Sequence, residues 1–341
     1  MTKVKCVAWD LDDTVWDGVA LEAPQLPSPR PRVLELMAEL EGRGILNSIA
    51  SRSDPSLLER LREWPELYAR VVAPHIGWAP KSATLTELAD HLNVSLDAVV
   101  LVDEDPFTRA EVEHMTPEVR TLSLAALESA LAEPEFSPPA TAEAGRRVEM
   151  YREEERRRRA GSEFSGSQTD FFASCGMRLE IVVATPGDLP RLAELAERSH
   201  RLNSTGEAPS TAELSARISS PGHLVVRARL TDRFGDYGTI GLLTLARGPD
   251  EWRLETLAVS CRVEGRGVPG AVLAWAMAEA GRAGARTLAA DYRASDRNLR
   301  LGLLYRQLGF RGSDPLRRDL TGELPGHPDW LEVSAPVTTP R

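Results

Sequence analysis

Asp10 and Asp12 stand one residue apart directly after the apolar run Val7-Ala8-Trp9, with Thr14 two residues further on. At the end of a β-strand, residues i and i+2 face the same side, so two carboxylates converge on one spot. Like charges held that close repel, and keeping both ionised calls for a cation, which oxygen ligands select as magnesium. A second acidic cluster, Asp103-Glu104-Asp105, follows the apolar run Val99–Val102 and can close such a site from a neighbouring strand. Ser51 follows the apolar run 45–50, and Lys81 ends the segment Trp78-Ala79-Pro80-Lys81 ahead of a predicted helix. Lys81 is also the only lysine beyond residue 5 in a chain with 38 arginines, which points to a need for an ammonium at that position. Asp13 and Asp105 read as turn or cap residues.

A second centre is predicted around Cys261. It follows a strand-like run ending at Val259 and opens the segment Ser260-Cys261-Arg262-Val263-Glu264-Gly265-Arg266-Gly267, ahead of a helix from Pro269. The glycines allow close backbone approach, and N–H groups at a helix start suit a phosphate or diphosphate. Arg262 and the helix start both favour a thiolate, so Cys261 is placed to accept an acyl group. Cys6 lies inside the first strand and reads as buried and inert; Cys175, at a predicted helix end, lacks the setting of Cys261.

The elements that must hold these residues alternate at first. Strands are expected at 4–9, 45–50 and 99–102 with a helix over 31–43, a parallel α/β pattern whose ligands bind beyond the carboxyl ends of the strands. Forty residues lie between Asp10 and Ser51 and 29 between Ser51 and Lys81, intervals filled by elements that the sheet itself needs. No large cap domain fits, and the open site favours a large substrate or a lid supplied by the second domain. The later part mixes strands at 179–183, 224–230, 238–245, 253–259 and 287–291 with helices over 189–200, 269–283 and 299–308, an α+β pattern. The expected divisions are a first domain over 1–140, a helical linker over 141–176, a second domain over 177–320 and a loosely ordered tail over 321–341. The charge run of residues 145–159 is expected to form a solvated connecting helix.

The length of 341 residues suits two domains, and 42% hydrophobic with 27% charged residues fits a globular chain. The net charge of −10 opposes nucleic acid and anionic membranes as partners. It is unevenly spread: residues 1–144 carry 12 Lys plus Arg against 25 Asp plus Glu, and residues 145–341 carry 29 against 26. Three scattered cysteines suit neither a disulfide framework nor a zinc site, so a reducing, cytoplasmic compartment is expected. No uninterrupted apolar run reaches the length of a membrane span, and no export signal is evident at the start.

Asp10-Leu11-Asp12-Asp13-Thr14, Ser51, Lys81 and Asp103-Glu104 have the order and spacing of the four motifs of haloacid-dehalogenase-like phosphatases. That resemblance implies Asp10 as the nucleophile that accepts a phosphoryl group and Asp12 as general acid and base. Ser51 and Lys81 would hold the phosphoryl oxygens, and Asp10, Asp103 and the main-chain carbonyl of Asp12 would bind magnesium. Phosphoryl transfer needs positioning and charge neutralisation above all, which this set supplies. Arg262-x-x-Gly265-x-Gly267 resembles the acyl-CoA phosphate loop of the GNAT acetyltransferase fold, and Asn298, Tyr305 and Gly309-Phe310 repeat that fold's closing pattern.

The combination is narrower. The run Val4 to Trp16, the segment Gly44 to Ser51, Trp78-Ala79-Pro80-Lys81-Ser82, Asn203-Ser204-Thr205-Gly206 and Ser260-Cys261-Arg262-Val263 together resemble the FkbH-like glyceryltransferase/phosphatases of polyketide pathways, over nearly the whole chain to Phe310. Asp13, Asp17 and Glu104 depart from the residues common in that family. The resemblance implies 1,3-bisphosphoglycerate as donor and the phosphopantetheine thiol of an acyl carrier protein as acceptor of a D-glyceryl unit, for methoxymalonyl-type extender units. Arg262, Gly265, Gly267, Asn298 and Tyr305 are the candidates for the phosphopantetheine channel. Two alternatives stand beside it: a phosphatase fused to an acetyl-CoA-dependent acetyltransferase, and a phosphatase fused to a non-catalytic docking module for a carrier protein.

Overall fold

The computed structural model describes residues 3–23, 25–137, 143–199 and 201–335. The chain forms two compact units, Met1–Arg156 and Arg157–Arg341. The expected boundary at 140 and the last six residues of the expected tail lie outside the described residues.

Unit one runs β1 (Cys6–Trp9), α1 (Pro31–Gly42), β2 (Leu46–Arg52), the short helices α2 (Leu57–Arg60) and α3 (Pro65–Tyr68), β3 (His75–Gly77), α4 (Lys81–Leu92), β4 (Val99–Val102), α5 (Pro106–Met115), β5 (Arg120–Leu122) and α6 (Leu124–Ala130). The five strands are all parallel in the order β3-β2-β1-β4-β5. Both faces of the sheet are covered, so β1 is apolar throughout. Val7 and Trp9 pack into one core layer, Cys6 and Ala8 into the other. Trp9 Nε1 donates to Asn47 Oδ1 at 3.0 Å, and Asn47 Nδ2 donates to the Met37 carbonyl at 3.0 Å, a buried chain of hydrogen bonds that ties α1 to the sheet. The strand order reverses at β1, which makes its carboxyl end the topological switch point. The intervals from β1 to β2 and from β2 to α4 contain no cap domain among the described residues.

α7 (Arg147–Ser162) carries the charge run, and the boundary between the units falls within it. The expectation of a solvated helix holds for Arg146, Glu149, Glu155, Arg156, Arg158 and Arg159, which are exposed, but not for Arg147, Glu153 and Arg157, which are buried. Arg147 donates to the Gly44 carbonyl within unit one, and Arg157 pairs with Asp232 within unit two.

Unit two continues with α8 (Gln168–Cys175), β6 (Met177–Val183), α9 (Leu189–Arg198), α10 (Thr211–Ser219), β7 (His223–Asp232), β8 (Gly235–Ala246), β9 (Glu251–Val259), α11 (Val268–Arg282), β10 (Thr287–Ala290), α12 (Leu299–Gln307), β11 (Leu316–Asp319) and β12 (Leu331–Ser334). Its seven strands have the order β11-β10-β9-β8-β7-β6-β12. β9 and β10 are parallel and joined through α11, while β6 to β9 form an antiparallel meander. Leu224, Val226, Ala228 and Leu230 of β7 face the main core and Val225 the other side, as the period of two requires. β12 corrects the reading of 321–341 as loose: it pairs in parallel with β6 and buries Leu331. A proline-rich stretch offers no local signal for such a strand, because its partner lies some 150 residues earlier in the chain.

The α/β architecture expected from sequence, a parallel sheet without a large cap followed by an α+β unit, is the one the described residues adopt.

Candidate active sites

In unit one the parallel register sets Trp9 beside Val102, so Asp10 and Asp103 emerge side by side past the ends of β1 and β4. The Asp10 N–H donates to the Val102 carbonyl at 2.9 Å and completes that register. Lys81, the first residue of α4, reaches both carboxylates: its Nζ lies 2.7 Å from Asp10 Oδ1 and 2.5 Å from Asp103 Oδ2. Lys81 and Asp103 are buried, with side chains 4% and 1% exposed, and Asp10 at 16% is the member that faces outward. Burial pushes the Asp10 carboxyl above its ordinary value; Lys81 pulls it down, and the charge of Asp103 pushes it up again.

Asp12 is held differently. Its Oδ1 accepts from Trp16 Nε1 at 2.8 Å and from the Ala20 N–H at 2.9 Å, which fixes the carboxylate in the loop after β1. Asp13, at φ +56°, accepts from the Gly18 N–H at 2.9 Å and shapes that loop. Thr14 is buried, and its hydroxyl accepts from the Glu104 N–H at 3.1 Å, pinning this loop to the one after β4. Asp103 Oδ1 accepts from the Asp105 N–H, its carbonyl accepts from Arg109, and Asp105 caps α5. The Glu104 carboxylate accepts from the Leu124 N–H at the start of α6. Ser51 is buried and lies within β2, one residue before its end and paired in register with Ile76, rather than after the strand as expected. Sequence reasoning missed Trp16 and Arg109; the i+4 spacing of Trp16 from Asp12 is a signal that could have found the first.

Among the described residues no group of three or more His, Cys, Asp or Glu side chains is arranged to hold a metal ion. The expected donor set is smaller, two carboxylates and one main-chain carbonyl, and its two carboxylates lie side by side on Lys81. Asp10 and Asp103 are adjacent hard oxygen donors, and the single ammonium between them leaves the pair with surplus negative charge. Asp12 Oδ1 is engaged by Trp16 and Ala20, and the expected contribution of Asp12 to a metal is its main-chain carbonyl.

In unit two, β9 ends at Val259 and Ser260 caps a single 3-10 turn, Cys261–Val263, accepting from the Arg262 N–H. Cys261 is partly exposed, whereas Cys6 and Cys175 are buried. Burial raises the Cys6 and Cys175 thiols above their ordinary values. The helix expected from Pro269 begins one residue earlier, at Val268, after Gly265 at φ +79° and Gly267 at φ +83°. Arg262 turns its guanidinium to the Tyr237 carbonyl at 2.9 Å. A cleft of about 710 Å³ opens along this loop. Gly265 and Gly267 line it, with α12 on one side and residues 326–330 on another.

Arg262, Asn298 and Tyr305 do not line this cleft, which corrects their expected place in the channel. Asn298 is fully buried; its Nδ2 donates to the Asn203 and Arg293 carbonyls at 3.0 Å and its Oδ1 accepts from the Ser295 N–H, so it joins two loops. Tyr305 is fully buried against Phe310 and Tyr292, with ring centroids 5.1 and 5.7 Å away. One wall of the cleft, Pro328 and Trp330 included, comes from the segment read as tail.

No protein-family model matches the chain, and no curated protein matches it. Solved structures do. The N-terminal part of the protein BF1531 from Bacteroides fragilis, a phosphatase domain complexed with Mg, matches at 21% identity with a TM-score of 0.33, covering 44% of this chain and 41% of that one. The ribosomal-protein-S18-alanine N-acetyltransferase from Escherichia coli matches at 20% identity with a TM-score of 0.33, over 41% of this chain and 88% of that one. Ard1 from Thermoplasma volcanium matches at 16% identity with a TM-score of 0.34, over 42% of this chain and 99% of that one.

Proposed function

We propose that the chain is a magnesium-dependent phosphatase and glyceryltransferase of the cytoplasm that moves a D-glyceryl unit from 1,3-bisphosphoglycerate to the phosphopantetheine thiol of an acyl carrier protein, with loss of both phosphates. The product supplies polyketide extender units of the methoxymalonyl type. The observation that carries the reading is Lys81 bridging Asp10 and Asp103 at the topological switch of the parallel sheet.

Asp10 Oδ attacks the phosphorus of the C3 ester, the bond from phosphorus to the C3 oxygen breaks, and Asp12 gives that oxygen its proton. Water then cleaves the aspartyl phosphate, with Asp12 taking the proton back. Lys81 and Ser51 hold the phosphoryl oxygens. Magnesium, when bound by Asp10, Asp103 and the Asp12 carbonyl, supplies positive charge against these oxygens. On the acyl phosphate end, the sulfur of Cys261 bonds to the carbonyl carbon and phosphate departs. The carrier thiol then displaces Cys261 and forms the final thioester. No ATP is needed, because an acyl phosphate is already activated.

The fold of unit two serves an acetyl-CoA-dependent acetyltransferase, or a silent docking module, equally well. The partly exposed Cys261 is a feature that only the glyceryl reading requires. Intact-protein mass spectrometry after incubation with magnesium and 1,3-bisphosphoglycerate tests it, with and without a carrier protein. A glyceryl adduct that disappears as the carrier is loaded is expected, together with phosphate release that Asp10→Asn abolishes. Acetyl transfer from acetyl-CoA with no carrier loading overturns it.

A further inference from the structure

The two most exposed large apolar side chains among the described residues of unit two, Leu299 at 57% and Leu303 at 64%, stand on the same helix, α12. They are four residues apart, so they are neighbours on one helix face. The other leucines of α12 and its end point elsewhere: Leu301 is fully buried, and Leu301, Leu304 and Leu308 line the cleft. A helix with a single core-facing stripe would carry polar residues at 299 and 303, so this second apolar face has no packing role within the unit. The charge around it has one sign. Residues 293–313 hold five arginines, Arg293, Arg297, Arg300, Arg306 and Arg311, against one acid, Asp296, in a chain of net charge −10. Arg306 donates to the Gly312 carbonyl at 2.8 Å, and Arg311 to the Arg306 and Phe310 carbonyls at 3.0 Å, contacts that orient each guanidinium without cancelling its charge. Arg293 and Arg300 pair with Glu207 and Glu264, but both arginines are more than half exposed, and such surface pairs exchange for another carboxylate at little cost. A membrane or a nucleic acid would also meet the rest of an acidic chain, so a compact acidic protein face is the better match.

We propose that the outer face of α12, Leu299 and Leu303 flanked by Arg300, Arg306 and Arg311, docks an acidic carrier protein through a surface that presents carboxylates around an apolar side chain. The inference rests on the carrier reading of unit two given above and adds where the carrier sits. The leucines supply the apolar area that docking buries, and the arginines supply attraction and register. Arg300 belongs to both features, since it stands beside Leu299 on the helix and also lines the cleft. A carrier seated on this face therefore lies beside the cleft.

Surface plasmon resonance on the full-length protein, with a phosphopantetheinylated carrier protein of net negative charge that it loads with glyceryl units, tests the proposal. Leu303→Ser should weaken binding about tenfold, mainly through faster dissociation. Arg306→Glu should weaken it about as much, mainly through slower association, a deficit that raised salt narrows. Arg306→Lys, which keeps the charge, should stay near wild type. In Leu303→Ser and Arg306→Glu, checked for folding by circular dichroism, the KM for the carrier should rise about tenfold with kcat for loading little changed, and phosphate release from a simple ester should be unaltered. Carrier binding undiminished in both folded variants places the dock elsewhere and leaves the carrier reading standing. A wild-type dimer on sedimentation that Leu303→Ser abolishes, or wild-type binding to vesicles of phosphatidylcholine and phosphatidylglycerol that it abolishes, overturns the commitment of this face to a carrier. If wild type loads no carrier protein, the carrier reading falls and the proposal with it.

Discussion

The indole of Trp16 donates to Asp12 Oδ1 at 2.8 Å from a fully buried position, and the Ala20 N–H donates to the same oxygen. A group that exchanges protons with a leaving oxygen must be held in reach of it, and here a tryptophan holds it. Trp16→Phe keeps a ring in the core and removes the donor. Phosphate release by this variant should show kcat lowered by about tenfold or more with KM little changed. Steady-state kinetics on a phosphate ester decide it, and an unchanged kcat removes Trp16 from the positioning of Asp12.

Lys81 is the cation on which two carboxylates depend, so its loss is felt as stability as well as activity. Lys81→Met leaves Asp10 beside Asp103 with no countercharge and should destabilise unit one by about 3 kcal/mol or more, the usual cost of stranding one side of a buried pair. Added magnesium should restore part of that loss by binding the native state. Denaturant unfolding with and without the ion measures both effects; a Lys81→Met protein as stable as wild type contradicts the arrangement.

Much of unit one was legible because its signals are local. An apolar run followed by an acid gives the ends of β1 and β4, and a parallel sheet turns those ends into one site. Ser51 was misplaced by a strand end, since polar Ser51 and Arg52 still pair with β3 inside the ladder. α10 carried a readable signal that was not used, the capping box Ser210 to Glu213. In unit two the glycines of the loop were legible as backbone requirements, but Asn298 and Tyr305 were not legible as core. Their types suit a binding site, and only tertiary packing reveals that Asn298 is spent on backbone carbonyls and Tyr305 on aromatic neighbours. Residues 326–334 were least legible, because a proline and a tryptophan seated on a distant glycine leave no periodic trace.

Arg157 and Asp232 form a two-pronged pair, at 2.6 and 2.9 Å, with both side chains almost wholly buried. Burial alone would raise the Asp232 carboxyl, but hydrogen bonding and charge from Arg157 outweigh it, and further hydrogen bonds from the Phe234 N–H and Tyr237 help hold the group below its ordinary value. A depressed folded-state value means that the stabilisation is complete above the unfolded value of about 3.9 and is lost as pH falls through the lower folded one. Unit two should therefore lose stability on acidification below about pH 4, and Asp232→Asn should weaken that limb, which Asp170, Glu213 and Asp319, also held below their ordinary values, keep in part. The variant should also be less stable at neutral pH by about 3 kcal/mol, because Arg157 is left buried without its partner. Thermal unfolding followed across pH checks both, and an unaltered acid limb in Asp232→Asn refutes the assignment.

Cys261 is the last element on which the proposed transfer turns. It is the one cysteine of three that is not buried, and it opens the turn that carries the chain from β9 to the glycines of the cleft. Cys261 is therefore reachable from solvent, whereas Cys6 inside β1 and Cys175 at the end of α8 are not without local opening. Cys261→Ala should fold as wild type, release phosphate from a simple ester at the wild-type rate, and lose both the covalent glyceryl adduct and the loading of a carrier protein. Peptide mapping of the adduct and mass analysis of the carrier separate the outcomes. Loss of both in Cys261→Ala places the acyl group on this sulfur, whereas undiminished carrier loading means that the carrier thiol attacks the acyl phosphate directly and that Cys261 is a bystander in the turn.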